Sequence, residues 1–141
     1  REIRPPDEDE GRRGGDGSVM IVLATDAPMT ARQLHRLCVR AGAGLARTGS
    51  VLDHGSGDFV IAFSAASRVA QVPRRVVAER PMVVAEGRLM RHAFLGVVES
   101  VEEAVLNALW RAETMVGRDG HTRYALPLDL VARGVDALGL R

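Results

Sequence analysis

Gly17-Ser18-Val19-Met20-Ile21-Val22-Leu23-Ala24-Thr25-Asp26 is the stretch on which the fold turns. The apolar run Val19 to Ala24 is rich in β-branched side chains, is closed by Asp26, Ala27 and Pro28, and is too short for a helix apolar on both faces. The pattern predicts a buried central strand. A second run of strand length and composition, Asp58-Phe59-Val60-Ile61-Ala62-Phe63-Ser64, is expected beside it. Between the two, Thr30 and Gln33 stand in capping-box register, and Leu34, Leu37, Cys38, Ala41 and Leu45 recur at helical spacing up to Gly49. An amphipathic helix, weakened by Gly42 and Gly44, therefore joins the strands. Strand, helix and strand in this order predict a fold of mixed α and β layers.

Upstream, residues 1–17 are dominated by charged side chains with Pro5, Pro6 and several glycines, and Ile3 is their only large apolar residue. Such a segment buries too little surface to offset its ordering entropy, so it reads as a flexible linker. Downstream, Val76-Val77 and Met82-Val83-Val84 are candidate short strands, broken by Pro73 and Pro81. From about Arg91 to Val116 the positions Phe94, Val98, Val101, Val105, Ala108, Leu109 and Ala112 predict one long helix stopped at Gly117. Ser100 and Glu103 offer a second capping box at which that helix would start late or break. Arg118-Asp119-Gly120 reads as a turn, Thr122 to Leu126 as a short strand, and Pro127 as the opening of a last helix that ends near Gly139. So few strands make a poor sheet, and the sheet is expected to continue in sequence upstream of Arg1.

Composition excludes several classes of function. The 141 residues hold 19 Lys plus Arg against 18 Asp plus Glu, for a net charge of +1, with three Phe, one Tyr and one Trp. Neither a basic face nor a set of stacking rings is available for nucleic acid. No apolar run reaches the roughly 20 residues that span a bilayer, so no membrane partner is expected. One cysteine, Cys38, allows no internal disulfide and fits a reducing, cytoplasmic compartment, with secretion left open.

The chemistry-bearing residues are few. His35 and Cys38 have ligand spacing on one helix, but His54, His92 and His121 supply no second pair, so no metal and no cofactor are expected. Gly42-Ala43-Gly44 and Gly55-Ser56-Gly57 lack the strand, turn and helix setting of a phosphate loop, and no Gly-x-Ser-x-Gly elbow occurs. Two features remain. Ser18 sits at the seam of linker and strand, where cleavage before it would leave an α-amine whose reference pKa, roughly 7.7 to 8.0, suits a general base. His54-Gly55-Ser56-Gly57-Asp58 sets a hydroxyl and a carboxylate two residues apart ahead of the second strand, and pairing of the strands would bring Ser18 and Ser56 to one edge of the sheet. Read from pattern alone, Ser18 is first a polar boundary residue and only second a catalyst, and Ser56 with Asp58 look like turn chemistry.

A set of ordered blocks bears on that choice: Gly17-Ser18, Ala24-Thr25-Asp26-Ala27-Pro28, Gly44-Leu45-Ala46-Arg47-Thr48-Gly49, Gly55-Ser56-Gly57-Asp58, Ala62-Phe63-Ser64, Asn107-Ala108-Leu109, Glu113-Thr114-Met115 and Gly117-Arg118-Asp119-Gly120. In order and spacing, from Asp16 to about Leu130, they resemble the DmpA-type L-aminopeptidase and D-alanyl esterase/amidase family, relatives of the β-peptidyl aminopeptidases. The resemblance implies a self-processing hydrolase cut before a serine into an α and a β chain, with a four-layer αββα sandwich like that of ornithine acetyltransferase. Residues 1–17 would then be the end of the α portion, and 18–141 a β-chain catalytic domain incomplete without it. By position, the resemblance makes Ser18 the nucleophile, Gly17 and Ser18 the cleavage site, Ser56 the second active-site serine that contacts the nucleophile, and Asp58 an acidic residue that is glutamate in β-peptidyl members. The base is left open between Asp58, acting through Ser56, and the Ser18 α-amine. Implied partners are the α portion, short peptides or amino acid amides and esters, and an oligomer of αβ units. The asparagine and tyrosine that line the family's site belong to the α portion, and this chain shows no side-chain candidate for an oxyanion donor. Two alternatives are an acyltransferase like ornithine acetyltransferase, which cleaves itself with threonine, and a catalytically silent fragment with a structural role.

Overall fold

The computed structural model of the chain describes residues 17–66, 68, 70–72 and 74–139. Of the expected linker, only Gly17 falls within them. Two compact units are present, one over Gly15–Glu103 and a second whose described residues begin at Ala104.

The first unit is founded on a β-α-β motif. Strands β1 (Val19–Thr25) and β2 (Asp58–Ser64) pair in parallel in the register Val19↔Asp58 through Thr25↔Ser64. Helix α1 (Ala31–Arg47) is the crossover that parallel neighbours require, and it packs on both strands. The capping box read from Thr30 and Gln33 forms: the Gln33 N–H donates to Thr30 Oγ1 at 3.3 Å, and the Thr30 N–H donates to Gln33 Oε1 at 2.8 Å. The apolar face of α1 then supplies Leu37, Ala41 and Leu45 to a core completed by Met29 and by Met90, Val97 and Val101 of helix α2 (Gly87–Trp110).

Gly44 fixes how closely the two helices approach. A Cβ there would stand 2.7 Å from both Val101 Cβ and the Val98 carbonyl oxygen, so the contact requires glycine. The same helices are tied by an Arg47–Glu102 ion pair at 2.8 Å, and the Arg36 and Arg40 guanidinium carbons lie 5.1 and 4.1 Å from the centre of the Phe94 ring.

The structure departs from expectation at several elements. β1 is not buried on both faces: Ile21 and Leu23 are half-buried, whereas Met20 and Val22 of β1 and Phe59, Ile61 and Phe63 of β2 share one exposed face, each 48% to 66% accessible. Neither Val76-Val77 nor Met82-Val84 is a strand; the Val83 N–H is instead spent on the Pro28 carbonyl at 2.9 Å. Helix α2 runs earlier at both ends than the expected 91–116. It opens with the Met90 N–H donating to the Glu86 carbonyl at 2.7 Å and continues through Ser100, whose hydroxyl donates back to the Val97 carbonyl and caps nothing.

In the second unit Met115 and Val116 leave the helical pattern because they find sheet partners: β3 (Met115–Val116) pairs antiparallel with β4 (Thr122–Arg123). Gly117 therefore serves the hairpin and not a helix stop, its N–H donating to the His121 carbonyl at 2.7 Å. The turn is made by Asp119 and Gly120 at φ 57° and 77°. Helix α3 (Leu128–Ala137) follows directly after Pro127, and Gly139, at φ 65°, ends it in the left-handed region.

Candidate active site

The β1–β2 register determines what meets at the amino-terminal ends of the strands. One step beyond Val19↔Asp58 sets Ser18 opposite Gly57, and a second sets Gly17 opposite Ser56. The hydrogen bonds follow that pairing. The Gly57 N–H donates to Ser18 Oγ at 3.1 Å, and the Ser56 hydroxyl donates to the Gly17 carbonyl oxygen. Ser56 Oγ also lies 2.8 Å from Asp58 Oδ1. A hydroxyl carries one hydrogen, so the Gly17 carbonyl and the Asp58 carboxylate are alternative acceptors for it.

The loop that presents Ser56 is shaped by its own side chains. Asp53 accepts from the His54 N–H through its carboxylate at 2.8 Å and from the Ser56 N–H through its carbonyl at 2.9 Å. The bond from the Ser56 N–H to the Asp53 carbonyl closes a β-turn over residues 53–56, which presents Ser56 to Gly17. Ser56 and Gly57 are half-buried, whereas Gly17, Ser18 and Asp58 are exposed. Among the described residues, a Cβ on Gly17 would meet nothing within 4 Å.

The opposite ends of the strands are committed to turns. Ser64 Oγ donates to the Ala27 carbonyl at 2.6 Å, and Thr25 Oγ1 accepts from the Ala27 N–H at 3.1 Å. Near that end, a largely apolar cavity of about 390 Å³ lies between Val22, Leu23, Leu34, Leu37, Ala93 and Val97. Neither Ser18, Ser56 nor Asp58 lines it. Elsewhere His35 is exposed and Cys38 half-buried on α1, and among the described residues no three His, Cys, Asp or Glu side chains gather around one point.

The three side chains read from the sequence, Ser18, Ser56 and Asp58, thus converge on one strand edge. A residue that the sequence did not single out, Gly57, touches Ser18 through its backbone. Chemically the cluster holds a hydroxyl next to the carbonyl of the preceding residue, with a second hydroxyl on that carbonyl's oxygen and a carboxylate behind it.

Comparison with known proteins bears on the family and the fold. Residues 2–123 match Peptidase family S58. Over 114 residues, 80% of this chain and 28% of the relative, the sequence is 41% identical to a beta-peptidyl aminopeptidase, BapA, of Sphingosinicella microcystinivorans. The PH0078 protein of Pyrococcus horikoshii OT3 superposes at a TM-score of 0.71 with 43% identity, covering 84% of this chain and 33% of that one. The L-aminopeptidase D-Ala-esterase/amidase of Ochrobactrum anthropi, a variant of the Ntn hydrolase fold, superposes at 0.71 with 36% identity over the same shares. This chain therefore spans about a third of the length of the relatives it matches. Its mixed α/β architecture is of the Ntn hydrolase kind, and with the family match running through both strands and both helices of the first unit, the chain belongs to peptidase family S58.

Proposed function

We propose that residues 18–141 form the nucleophile-bearing part of a serine aminopeptidase, amidase and esterase that severs its own chain between Gly17 and Ser18, residues 1–17 being the end of the portion cut away. The observation that carries the reading is the seat of Ser18 Oγ and the Gly17 carbonyl on one loop, bonded to Gly57 and Ser56. The activities named for BapA and for the Ochrobactrum enzyme support it.

In self-cleavage Ser18 Oγ attacks the Gly17 carbonyl carbon. Its proton passes to the Ser18 nitrogen, the C–N bond breaks, and an ester joins Gly17 to Ser18 Oγ. Water then hydrolyses the ester, which leaves a Gly17 carboxylate and a free Ser18 amine. In turnover the same oxygen takes the acyl group of a peptide, amide or ester with a free amino end, expels the amine or alcohol, and passes the acyl group to water. Asp58, through Ser56, and the Ser18 amine are the two candidate bases for turnover, the amine having a reference pKa of roughly 7.7 to 8.0. The remaining length found in relatives completes the substrate pocket in this reading, and αβ units assemble further.

The test is intact-mass analysis of the protein expressed from its complete coding sequence. A cut between Gly17 and Ser18 is expected, together with amidase activity on amino acid amides, and Ser18→Ala is expected to abolish both. An uncut wild-type chain would favour the silent-fragment reading, and a processed, active Ser18→Ala protein would exclude Ser18 as the nucleophile.

A further inference from the structure

We propose that the stretch between β2 and α2 forms a binding site for a compact polyanion, a ligand with two or more phosphate or carboxylate groups, gripped by the guanidiniums of Arg68, Arg74, Arg75 and Arg80. The inference goes beyond the reading of Ser18 and does not depend on it. Neither Ser18, Ser56 nor Asp58 lines the site.

The sequence concentrates charge in this stretch. Residues 65–85 hold four arginines and one acidic side chain, Glu79, an imbalance that the net charge of +1 averages away over 141 residues. The backbone is fastened at both ends. The Ala65 N–H donates to the Thr25 carbonyl at 2.8 Å, and the Val83 N–H donates to the Pro28 carbonyl at 2.9 Å while its own carbonyl accepts from Gln33 Nε2 at 3.0 Å. Thr25 and Pro28 are near neighbours in sequence, so the chain leaves β2 and returns to almost the same place as a closed loop. Between the anchors no described residue from 68 to 82 belongs to a helix or strand or makes a hydrogen bond.

A cavity of about 400 Å³ opens within this loop, lined by the four arginines together with Glu79 and Val72 among others. Its size falls in the range of small-molecule sites, roughly 300–1,000 Å³. No described residue, Glu79 included, gives any of the four guanidiniums a hydrogen bond or an ion pair. The arginines of α1 are disposed differently: Arg32 and Arg36 bond Glu86, Arg40 stacks on Phe94, and Arg47 pairs with Glu102. Four positive charges around one space repel one another, and a single carboxylate leaves most of that repulsion in place. An anion in the cavity relieves it. A guanidinium holds anionic oxygens two at a time through its planar fork of N–H donors, so four of them around one cavity match a ligand with more than one anionic group better than a lone carboxylate. The lining is exposed, so the attraction is screened by salt.

The experiment is calorimetric titration of the protein expressed from its complete coding sequence with inorganic pyrophosphate and, in parallel, with citrate. Saturable binding of one anion per chain is expected, weakening as salt is raised. The double variant Arg74→Ala/Arg75→Ala is expected to bind at least about tenfold more weakly, and Arg74→Lys/Arg75→Lys, which keeps the charges and loses the forks, to fall between it and wild type. Arg133→Ala, an exposed arginine of α3, should match wild type. Pyrophosphate should raise the melting temperature of wild type and not that of the double alanine variant, whose ligand-free melting temperature stays at the wild-type value because no described residue loses a partner. Tighter binding of pyrophosphate identifies a phosphate ligand and tighter binding of citrate a polycarboxylate. Failure to bind either anion, or an affinity that the double alanine variant leaves unchanged, overturns the site, and wild-type affinity in the double lysine variant overturns the grip by guanidinium forks. Cleavage at Gly17–Ser18 is measured separately, so neither result can be mistaken for failure of the functional reading.

Discussion

At the scale of single residues, the glycines of α1 separate two roles that composition cannot tell apart. Gly42 and Gly44 both weaken a helix by the same propensity term, about 1 kcal/mol relative to alanine. A Cβ on Gly42 meets only Leu52 Cδ1, at 3.5 Å, whereas on Gly44 it collides with Val101 and the Val98 carbonyl at 2.7 Å. Gly42→Ala is therefore expected to stabilise the protein by roughly 0.5–1 kcal/mol, and Gly44→Ala to destabilise it by roughly 1–3 kcal/mol as α1 and α2 are forced apart. Melting temperatures should move in opposite directions, and a common sign would show that helix packing at Gly44 is not as tight as described. Gly17 contrasts with both. If Ser18 attacks the bond before it, glycine would be expected there for close approach, yet among the described residues no atom lies within 4 Å of the place a Cβ would take. Gly17→Ala is expected to self-cleave within about tenfold of wild type by intact mass, and complete loss would point to a conformational demand that forms only during attack. The serines and Asp58 were legible from blocks of sequence. Gly57 was not, because its contribution is a backbone amide, which every residue but proline carries, and only the strand register directs it at Ser18.

At the scale of elements, the α1 amino terminus shows why some segments were read correctly and others not. Gln33 completes the capping box with Thr30, a local pattern three residues wide, and so it was visible in the sequence. Its second task was not. Gln33 Nε2 donates to the Val83 carbonyl and to Glu86 Oε1, both at 3.0 Å, and Arg36 and Arg32 also bond Glu86. This clip fastens the stretch before α2 onto α1 and uses groups that a strand over Met82-Val84 would need, which is why the β-rich composition there yields no strand. Met115 and Val116 failed for a related reason: their helical spacing was outweighed by pairing with Thr122 and Arg123, a non-local gain invisible to periodicity. The Gln33 amide foremost, then the two guanidiniums, holds the Glu86 carboxyl below its ordinary value of 4.5. A carboxylate whose pKa is lower in the folded chain contributes stability above 4.5 that is lost as pH falls through the lowered value. Wild type is therefore expected to lose melting temperature below about pH 4.5 more steeply than Glu86→Gln, in which that proton is never taken up. Parallel pH profiles for the two proteins would show that the clip adds nothing. The Arg32 partner is largely exposed, so most of the effect should survive Arg32→Ala.

For the molecule as a whole, the face formed by Met20, Val22, Phe59, Ile61 and Phe63 is what the described residues leave unexplained by their own packing. A two-stranded sheet with helices against one side and five large apolar side chains exposed on the other is half of a layered structure. The sequence already pointed to this, since the β1 and β2 runs are apolar on both faces and so few strands make a poor sheet. The relatives have about three times the length of this chain, and the Ochrobactrum enzyme among them has a variant of the Ntn hydrolase fold. The expected occupant is therefore a second sheet from that additional length, and the expectation can be checked with one substitution in two settings. Produced alone, residues 1–141 should bind a hydrophobic dye and sediment as self-associated species, as an exposed apolar patch of this kind dictates. Ile61→Lys should reduce both, because the charge interrupts the patch in a place open to solvent. In the protein expressed from its complete coding sequence the same lysine would be buried without a partner, which costs several kcal/mol, so the assembled protein should melt far lower. If Ile61→Lys leaves the complete protein's melting temperature and activity unchanged, nothing packs on this face. The sheet edge that carries Ser18, Ser56 and Gly57 would then have to be held in register by α1 and β2 alone.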